Sequence, residues 1–372
     1  WLLSPWGATV IVMVAWLIVA VPRTSSGTMG GPDMPVIIEH LQEDHSLRAV
    51  LSWFTGPWVQ GPEYYRPIIS LLHWMDFRLW GESAWGWRLT NTLIIALTFP
   101  ALTWLCDRGL RNAWAGPAAA VALASIPPTA EMAKWPAWRT DAVCGIFLLL
   151  ASGAAFAYLR EGARGRLWLA LGMLLLALMS KETAIIWPAF AAVSVLLIAR
   201  DTRGLTLVAS ATALTGAFWL VRVSLLGHPL LGELSMTVNF DTATELRFLL
   251  QTALDPLYAD FTRVYPAVIG EEAWWLVPTF WQAVVGDAVF VAANIIVGVT
   301  NLRLLGVLWA WRIITYLPSM PFGRMWDFYY YIPTLGTALL YAVAAADLAR
   351  MVRPHIQPGR GKCAIKDETE AN

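Results

Sequence analysis

The side chains able to do chemistry fall into four short clusters. They are an adjacent acid pair, Glu43-Asp44; Tyr65-Arg66 within YYRP; Arg139-Thr-Asp141 behind KWPAW; and Ser180-Lys181-Glu182. A fifth pair, Arg324 and Asp327, stands near the C-terminal end. A carboxylate such as Asp44 can take the proton from an incoming hydroxyl. Arg66, Arg139, Lys181 and Arg324 are the types that hold phosphate, through charge-assisted hydrogen bonds and fixed positive charge. A carboxylate base opposite a cationic seat is the chemistry to test against the rest of the chain.

Each cluster also has a plainer reading. Asp44 precedes the helical pattern Leu47, Val50, Leu51, Phe54 and would serve as an N-cap; a capped carboxylate is also a held one. Arg66 reads equally as a charge facing solvent or headgroups, and Pro67 after it suits a first helical turn. Asp141 suits the start of a span through the helix dipole, or it orients Arg139 toward a substrate phosphate. Lys181 with Glu182 as its partner is harder to reduce to a turn, because the pair interrupts LALGMLLLALM and AIIWPAFAAV, where Gly, Asn or Pro would be usual. His45 and His73 read as polar interface residues before they read as bases.

The elements that must position these groups are membrane helices. The chain is 58% hydrophobic and 14% charged over 372 residues, with mean hydropathy +0.55. A soluble domain carries about 25% charged residues, so lipid must cover the excess apolar surface. Ten spans can be drawn, near 3–21, 89–107, 114–128, 140–158, 166–180, 184–199, 205–226, 276–299, 302–317 and 330–348. The first lacks a basic start and a cleavage site and reads as an uncleaved span. Many of the 22 Trp stand near expected helix ends, including Trp6, Trp80, Trp85, Trp87, Trp114, Trp135, Trp138 and Trp187, where indole favours the membrane boundary.

Basic residues fix an orientation. Arg108, Arg111, Arg160, Arg164, Arg166, Arg200, Arg203, Arg303 and the 349–372 tail fall on one side, cytoplasmic by the positive-inside rule. The loops near 22–88 and 227–275 then face outward, as do all the clusters above. The first is long for a connection between spans, and long connections are commonly functional. In the second, Thr242 and Glu245 form a capping box before an amphipathic helix carrying Leu246, Leu249, Leu250, Leu254 and Leu257. The chain is thus expected to be one transmembrane domain over 1–348 followed by a polar cytoplasmic tail.

Other classes lack their marks. Net charge is +0, which argues against a nucleic-acid surface. No GxxxxGK[ST], GxSxG or HExxH occurs. Cys106, Cys144 and Cys363 make neither a disulfide framework nor zinc spacing.

With those residues in view, the chain resembles the GT-C glycosyltransferases, and within them the protein O-mannosyltransferase-like and transmembrane/TPR mannosyltransferase-like branch. The Glu43-Asp44 dyad, YYRPIISLLHWMDFRLWG followed by WRLTN, the segment Trp138-Arg139-Thr-Asp141, SKETAIIWP and FYYYIPTLG carry the likeness, in the family's order. Phe328 stands where the family has Arg, Ile95 lies near a frequent His, and the TPR array is missing. The resemblance implies an all-α GT-C bundle and transfer of a sugar from a polyprenyl-phosphate donor to a hydroxyl, with inversion. Asp44, with Glu43, would be the base. Arg66, Arg139, Lys181 and Arg324 would hold the phosphate, supported by Asp141, Glu182 and Tyr65. It implies no obligatory cofactor, a divalent metal being the one open addition. The partners implied are membrane lipids, a protein, glycan or lipid acceptor and further membrane subunits, in a bacterial plasma membrane. A non-catalytic GT-C-like subunit and a lipid-linked-substrate transporter are the competing expectations; the absence of a repeat and of mid-membrane charge counts against the second.

Overall fold

The helix at the centre is built from small residues. In the computed structural model, which describes residues 4–24, 33–58, 64–227, 280–318 and 327–356, Arg139–Glu161 forms a helix buried over most of its length. Between helices in lipid, close van der Waals packing replaces the hydrophobic drive, and small residues let backbones approach. Gly153 illustrates this: a Cβ there would stand 2.5 Å from the Trp104 ring. Gly116 lies as close to Thr103.

In chain order the helices are α1 (Pro5–Thr24), α2 (Asp33–Glu43), α3 (Leu47–Ser52), α4 (Pro67–Trp80), α5 (Ala84–Ala96), α6 (Thr98–Trp104), α7 (Ala115–Ser125), α8 (Pro127–Lys134) and α9 (Arg139–Glu161). They continue as α10 (Arg164–Leu178), α11 (Trp187–Ile198), α12 (Thr202–Leu226), α13 (Phe280–Tyr316) and α14 (Asp327–Ile356). No strand occurs among the described residues. Among the described residues six stretches are long and apolar enough to cross a membrane: Pro5–Arg23, Ala84–Gly109, Pro136–Glu161, Thr202–Leu226, Ala288–Tyr316 and Tyr329–Val352. Leu220 of α12, 71% exposed, and Ile18 of α1, 68% exposed, show the apolar outer surface that lipid must cover.

α13 is two arms. Asn301 leaves the helical region (φ −156°, ψ 81°) and its side chain accepts the Leu304 N–H at 3.0 Å, an N-cap for the second arm. Trp309 Nε1 donates to Asn294 Oδ1 at 2.7 Å, and the Arg312 guanidinium lies over Phe290. A straight helix would hold residues 294 and 309 about 22 Å apart, so the arms fold back on each other at Asn301. The expected boundary between spans at 299 and 302 coincides with this bend. The expected span 114–128 instead ends with α7 at Ser125, and α8 begins at Pro127.

The basic loops meet at one end of the bundle. Arg160 donates to the carbonyls of Gly109 and Arg108, and Arg203 donates to the Arg160 carbonyl. The antiparallel path of α9 to α12 places the start of α9, the end of α10 and the end of α12 together at the opposite end. Not every tryptophan is at a boundary, however: Trp87 and Trp187 are buried inside the bundle. The expected amphipathic helix around 242–257, Arg324, the Phe328 side chain, Cys363 and the tail beyond Ile356 lie outside the described residues.

Candidate functional site

Among the described residues, three buried ion pairs occupy the end away from the basic loops. Arg66 meets Glu182, with Nη2 2.7 Å and Nε 2.8 Å from Oε2. Arg139 Nη1 lies 2.5 Å from Asp76 Oδ2. Lys181 Nζ donates to both oxygens of Asp141, at 2.9 and 2.8 Å. The Tyr65 N–H adds a 3.2 Å bond to Glu182 Oε1, and the Tyr65 hydroxyl donates to the Phe54 carbonyl at 2.9 Å. All six charged side chains are less than a tenth exposed.

The pairing differs from the sequence expectation. Asp141 pairs with Lys181 and not with Arg139, because residues two apart on a helix point to different faces. Glu182 pairs with Arg66 and not with its neighbour Lys181. Lys181 is in extended backbone (φ −157°, ψ 137°), where successive side chains point opposite ways. One therefore turns to α9 and the other to the start of α4. The Ile68 N–H donates to the Met179 carbonyl at 3.3 Å and holds that start against the end of α10.

Two members of the cluster had only weak sequence signals. Asp76 sits within α4 and reads as a loop acid until α4 is seen to bury the face carrying Ile69, His73 and Asp76. Arg222 is fully buried in α12 and lies within electrostatic reach of Glu182 and Arg66. A lone Arg in the apolar run GAFWLVRVSLL was its signal, since charge inside a span is costly and commonly functional. Among the described residues the linked groups include the cations Arg66, Arg139, Lys181 and Arg222 and the acids Asp76, Asp141 and Glu182. Arg66 and Arg222 both lie within electrostatic reach of Glu182.

His73 is fully buried, not an interface residue. Burial, reinforced by nearby Arg139, pushes its imidazole well below the ordinary 6.5, so the ring is neutral. Burial raises the Asp76 carboxyl against the pull of Arg139. Asn91 Nδ2 donates to the Met132 and Ala133 carbonyls at 2.6 and 3.2 Å, tying α5 to the end of α8.

The Glu43-Asp44 dyad lies elsewhere. Both residues are exposed and border an open depression of about 420 Å³, with His45, Ser46, Leu47, Trp74 and Arg78. Ser46, not Asp44, caps α3, accepting the Ala49 N–H at 3.2 Å. Asp44 Oδ1 accepts the Ser46 N–H at 2.9 Å, and that bond holds its carboxyl below the usual 3.8. Trp74 Nε1 donates to the His45 carbonyl at 2.9 Å, so the dyad's loop packs on the Trp74 side of α4. The ion pairs use the His73–Asp76 side. The structure therefore brings Arg66, Arg139, Lys181, Asp141, Glu182 and Tyr65 together and leaves Glu43 and Asp44 across α4 from them. Among the described residues no three His, Cys, Asp or Glu side chains converge as metal ligands.

Comparison with known proteins bears on the fold. No family model and no curated protein matches the chain. Solved structures do. ArnT from Cupriavidus metallidurans bound to undecaprenyl phosphate superposes with a TM-score of 0.52 at 16% identity, over 94% of this chain and 63% of that one. The Archaeoglobus fulgidus oligosaccharyltransferase in the apo form gives 0.59 at 13% identity, over 96% of this chain and 52% of that one. The same organism's AglB, in complex with an inhibitory peptide and a dolichol-phosphate, gives 0.57 at 14% identity, over the same shares. The fold is thus the all-helical GT-C bundle. The chain spans between about half and under two-thirds of the length of these structures.

Proposed function

We propose that the chain is a membrane glycosyltransferase that moves a sugar from a polyprenyl-phosphate donor to a hydroxyl acceptor. The observation that carries this reading is the gathering of four buried cations, Arg66, Arg139, Lys181 and Arg222, at one end of a bundle with the GT-C fold. Guanidinium and ammonium groups gathered in this way are the types that hold a phosphate. Neighbours of the same fold were solved with undecaprenyl phosphate and with a dolichol-phosphate, which favours a lipid-borne phosphate here. The YYRP, SKE and LWG segments favour the O-mannosyltransferase-like branch. The acceptor would be a protein, glycan or lipid, met at the non-cytoplasmic face of a bacterial plasma membrane.

In the proposed reaction the acceptor oxygen attacks the anomeric carbon from the face opposite the phosphate. The carbon–oxygen bond to phosphate breaks, its electron pair leaves on the phosphate, and the anomeric configuration inverts. The acceptor proton passes to Asp44. Asp76, Asp141 and Glu182 are committed to cations and would lose an ion pair on protonation, whereas Asp44 makes no ion pair among the described residues. With the donor bound, the α2–α3 segment would have to approach the cation cluster. Arg66, Arg222 and Arg324 would hold the departing phosphate, with Arg139 and Lys181 completing the positive field; fixed charge of this kind is the largest contribution to many such reactions. Charge neutralisation is thereby assigned to guanidinium and ammonium groups.

The test is sugar transfer from a polyprenyl-phosphate donor by wild type, Asp44→Asn and Arg222→Gln. Loss of turnover in both variants is expected, with unchanged turnover in EDTA. Equal turnover by Asp44→Asn would remove the base. A second reading, a non-catalytic GT-C-like subunit of a membrane complex, is favoured by the self-pairing of the Arg66, Arg139 and Lys181 cations. It predicts donor binding absent in wild type and co-purification with an enzyme partner.

A further inference from the structure

Between two of the ion pairs runs a column of rings. The Arg66 guanidinium lies over the Trp58 ring at 5.0 Å and over Tyr64 at 4.3 Å. Trp58 stacks on His73, centroids 6.0 Å apart and planes at 26°. His73 meets Trp87 at 5.7 Å and 40°, and the Arg139 guanidinium lies 5.7 Å over Trp87. A guanidinium thus ends the column on each side, Arg66 held by Glu182 and Arg139 by Asp76.

The middle member decides what the column can do. Aromatic faces attract cations through the ring quadrupole, so both ends of the column are attractive only if its interior carries no positive charge. His73 is fully buried, with Arg139 nearby and the Pro136 carbonyl beside its ring, and it is neutral. His73 and Asp76 are three residues apart on α4 and share a face. The helix that supplies the spacer therefore also supplies the carboxylate that fixes Arg139. Trp58 is tied to the other end, its backbone N–H donating to the Tyr64 carbonyl at 2.6 Å, one residue from Tyr65.

We propose that the Trp58–His73–Trp87 column sets the separation of the Arg66–Glu182 and Arg139–Asp76 pairs, with His73 as its spacer and a positioning residue for the phosphate site. This rests on the reading of that site as a seat for a lipid-borne phosphate, and it deepens that reading by assigning what holds the cations apart. The imidazole touches neither donor nor acceptor. A flat apolar ring can replace it, while a methyl group or a cation cannot.

The full chain in nanodiscs, with undecaprenyl phosphate as probe, tests this. His73→Ala should weaken binding about tenfold, and His73→Phe should remain within about twofold of wild type. In turnover the loss should appear in KM for the donor, with kcat at saturation retained. Inorganic phosphate and phosphatidylglycerol vesicles should show no comparable difference between the variants; if they do, the site reads phosphate in general and the assignment to a lipid-borne donor falls. Binding by His73→Ala equal to wild type, or equal losses in the Ala and Phe variants, would overturn the proposal. A measurement without ligand separates this from the site reading: the thermal shifts of Arg66→Lys, Arg139→Lys and the double variant. Sites without shared partners add, so the shifts should be non-additive in the wild-type and His73→Phe backgrounds and additive in His73→Ala. Additive shifts in wild type overturn the column whatever the ligand. Non-additive shifts in a wild type that takes up no undecaprenyl phosphate remove the phosphate-seat reading and leave the column standing.

Discussion

Lys181 and Asp141 show what a buried pair demands of its residues. Both are almost wholly removed from solvent, and the ammonium bridges both carboxylate oxygens. Removing one partner strands the other charge, which typically costs about 3–5 kcal/mol, whereas replacing both can be nearly neutral. Lys181→Met should therefore lower thermal stability sharply in detergent, and Lys181→Met with Asp141→Leu should recover most of it. A double variant no more stable than the single one would mean the pair holds the bundle by more than mutual neutralisation. His73 gives a pH dependence of definite sign. Its folded-state pKa is depressed, so the unfolded chain binds the extra proton; stability is fully present above about pH 6.5 and falls as pH drops from 6.5 toward the lower folded value. Thermal unfolding measured from pH 7.5 down to 5 should show this fall, and His73→Phe should flatten it. At this scale the charged residues of the cluster were largely legible in the sequence, since charge is scarce in an apolar chain and stands out. Their partners were not. Two-residue spacing on α9 already forbade Asp141 from facing Arg139, but that Arg139 would find Asp76 depends on how α4 lies across the bundle, which no local pattern encodes.

The helices themselves are legible where composition changes abruptly and obscure where it does not. The bend at Asn301 was visible because a polar pair, Thr300-Asn301, splits two apolar runs, and the side chain of Asn301 does cap the second arm. Asn301→Ala should cost about 1 kcal/mol through loss of that cap, and the Trp309–Asn294 bond should keep the arms together, so the thermal midpoint falls while the fold persists. The division between α7 and α8 was missed, because Ile126-Pro127 interrupts the helix without any loss of apolar character. Close packing was equally invisible. Nothing in ASGAAFAY says which small residue meets a neighbour, yet a Cβ at Gly153 would stand 2.5 Å from the Trp104 ring and 3.3 Å from the Leu105 backbone. Gly153→Val should destabilise by about 1–3 kcal/mol, the usual cost of overpacking. Gly172, with nothing within 4 Å of an added Cβ, should accept Ala without measurable loss.

Across the whole molecule the two ends differ in kind. One gathers the loops carrying Arg108, Arg160 and Arg203, bonded to one another through backbone carbonyls. The other gathers the ion pairs, in which arginine and lysine are neutralised locally by acids. The first end carries its basic residues in short loops near helix ends, the kind the positive-inside rule counts. The ion pairs, being internally balanced and buried, exert little influence on insertion. That separation lets one chain hold buried cations at the end opposite its basic loops without their setting its topology. It also makes the orientation testable at two exposed positions, Ser46 beside the acid dyad and Glu161 beside the basic loops. With Cys106, Cys144 and Cys363 replaced, Ser46→Cys should react with a membrane-impermeant maleimide added to intact cells, and Glu161→Cys should react only after the membrane is opened. Labelling of both from outside would place the basic loops and the dyad on one side, which the antiparallel path of α9 to α12 does not allow. Labelling of Glu161→Cys alone would put the phosphate site on the cytoplasmic face and require a donor presented from within.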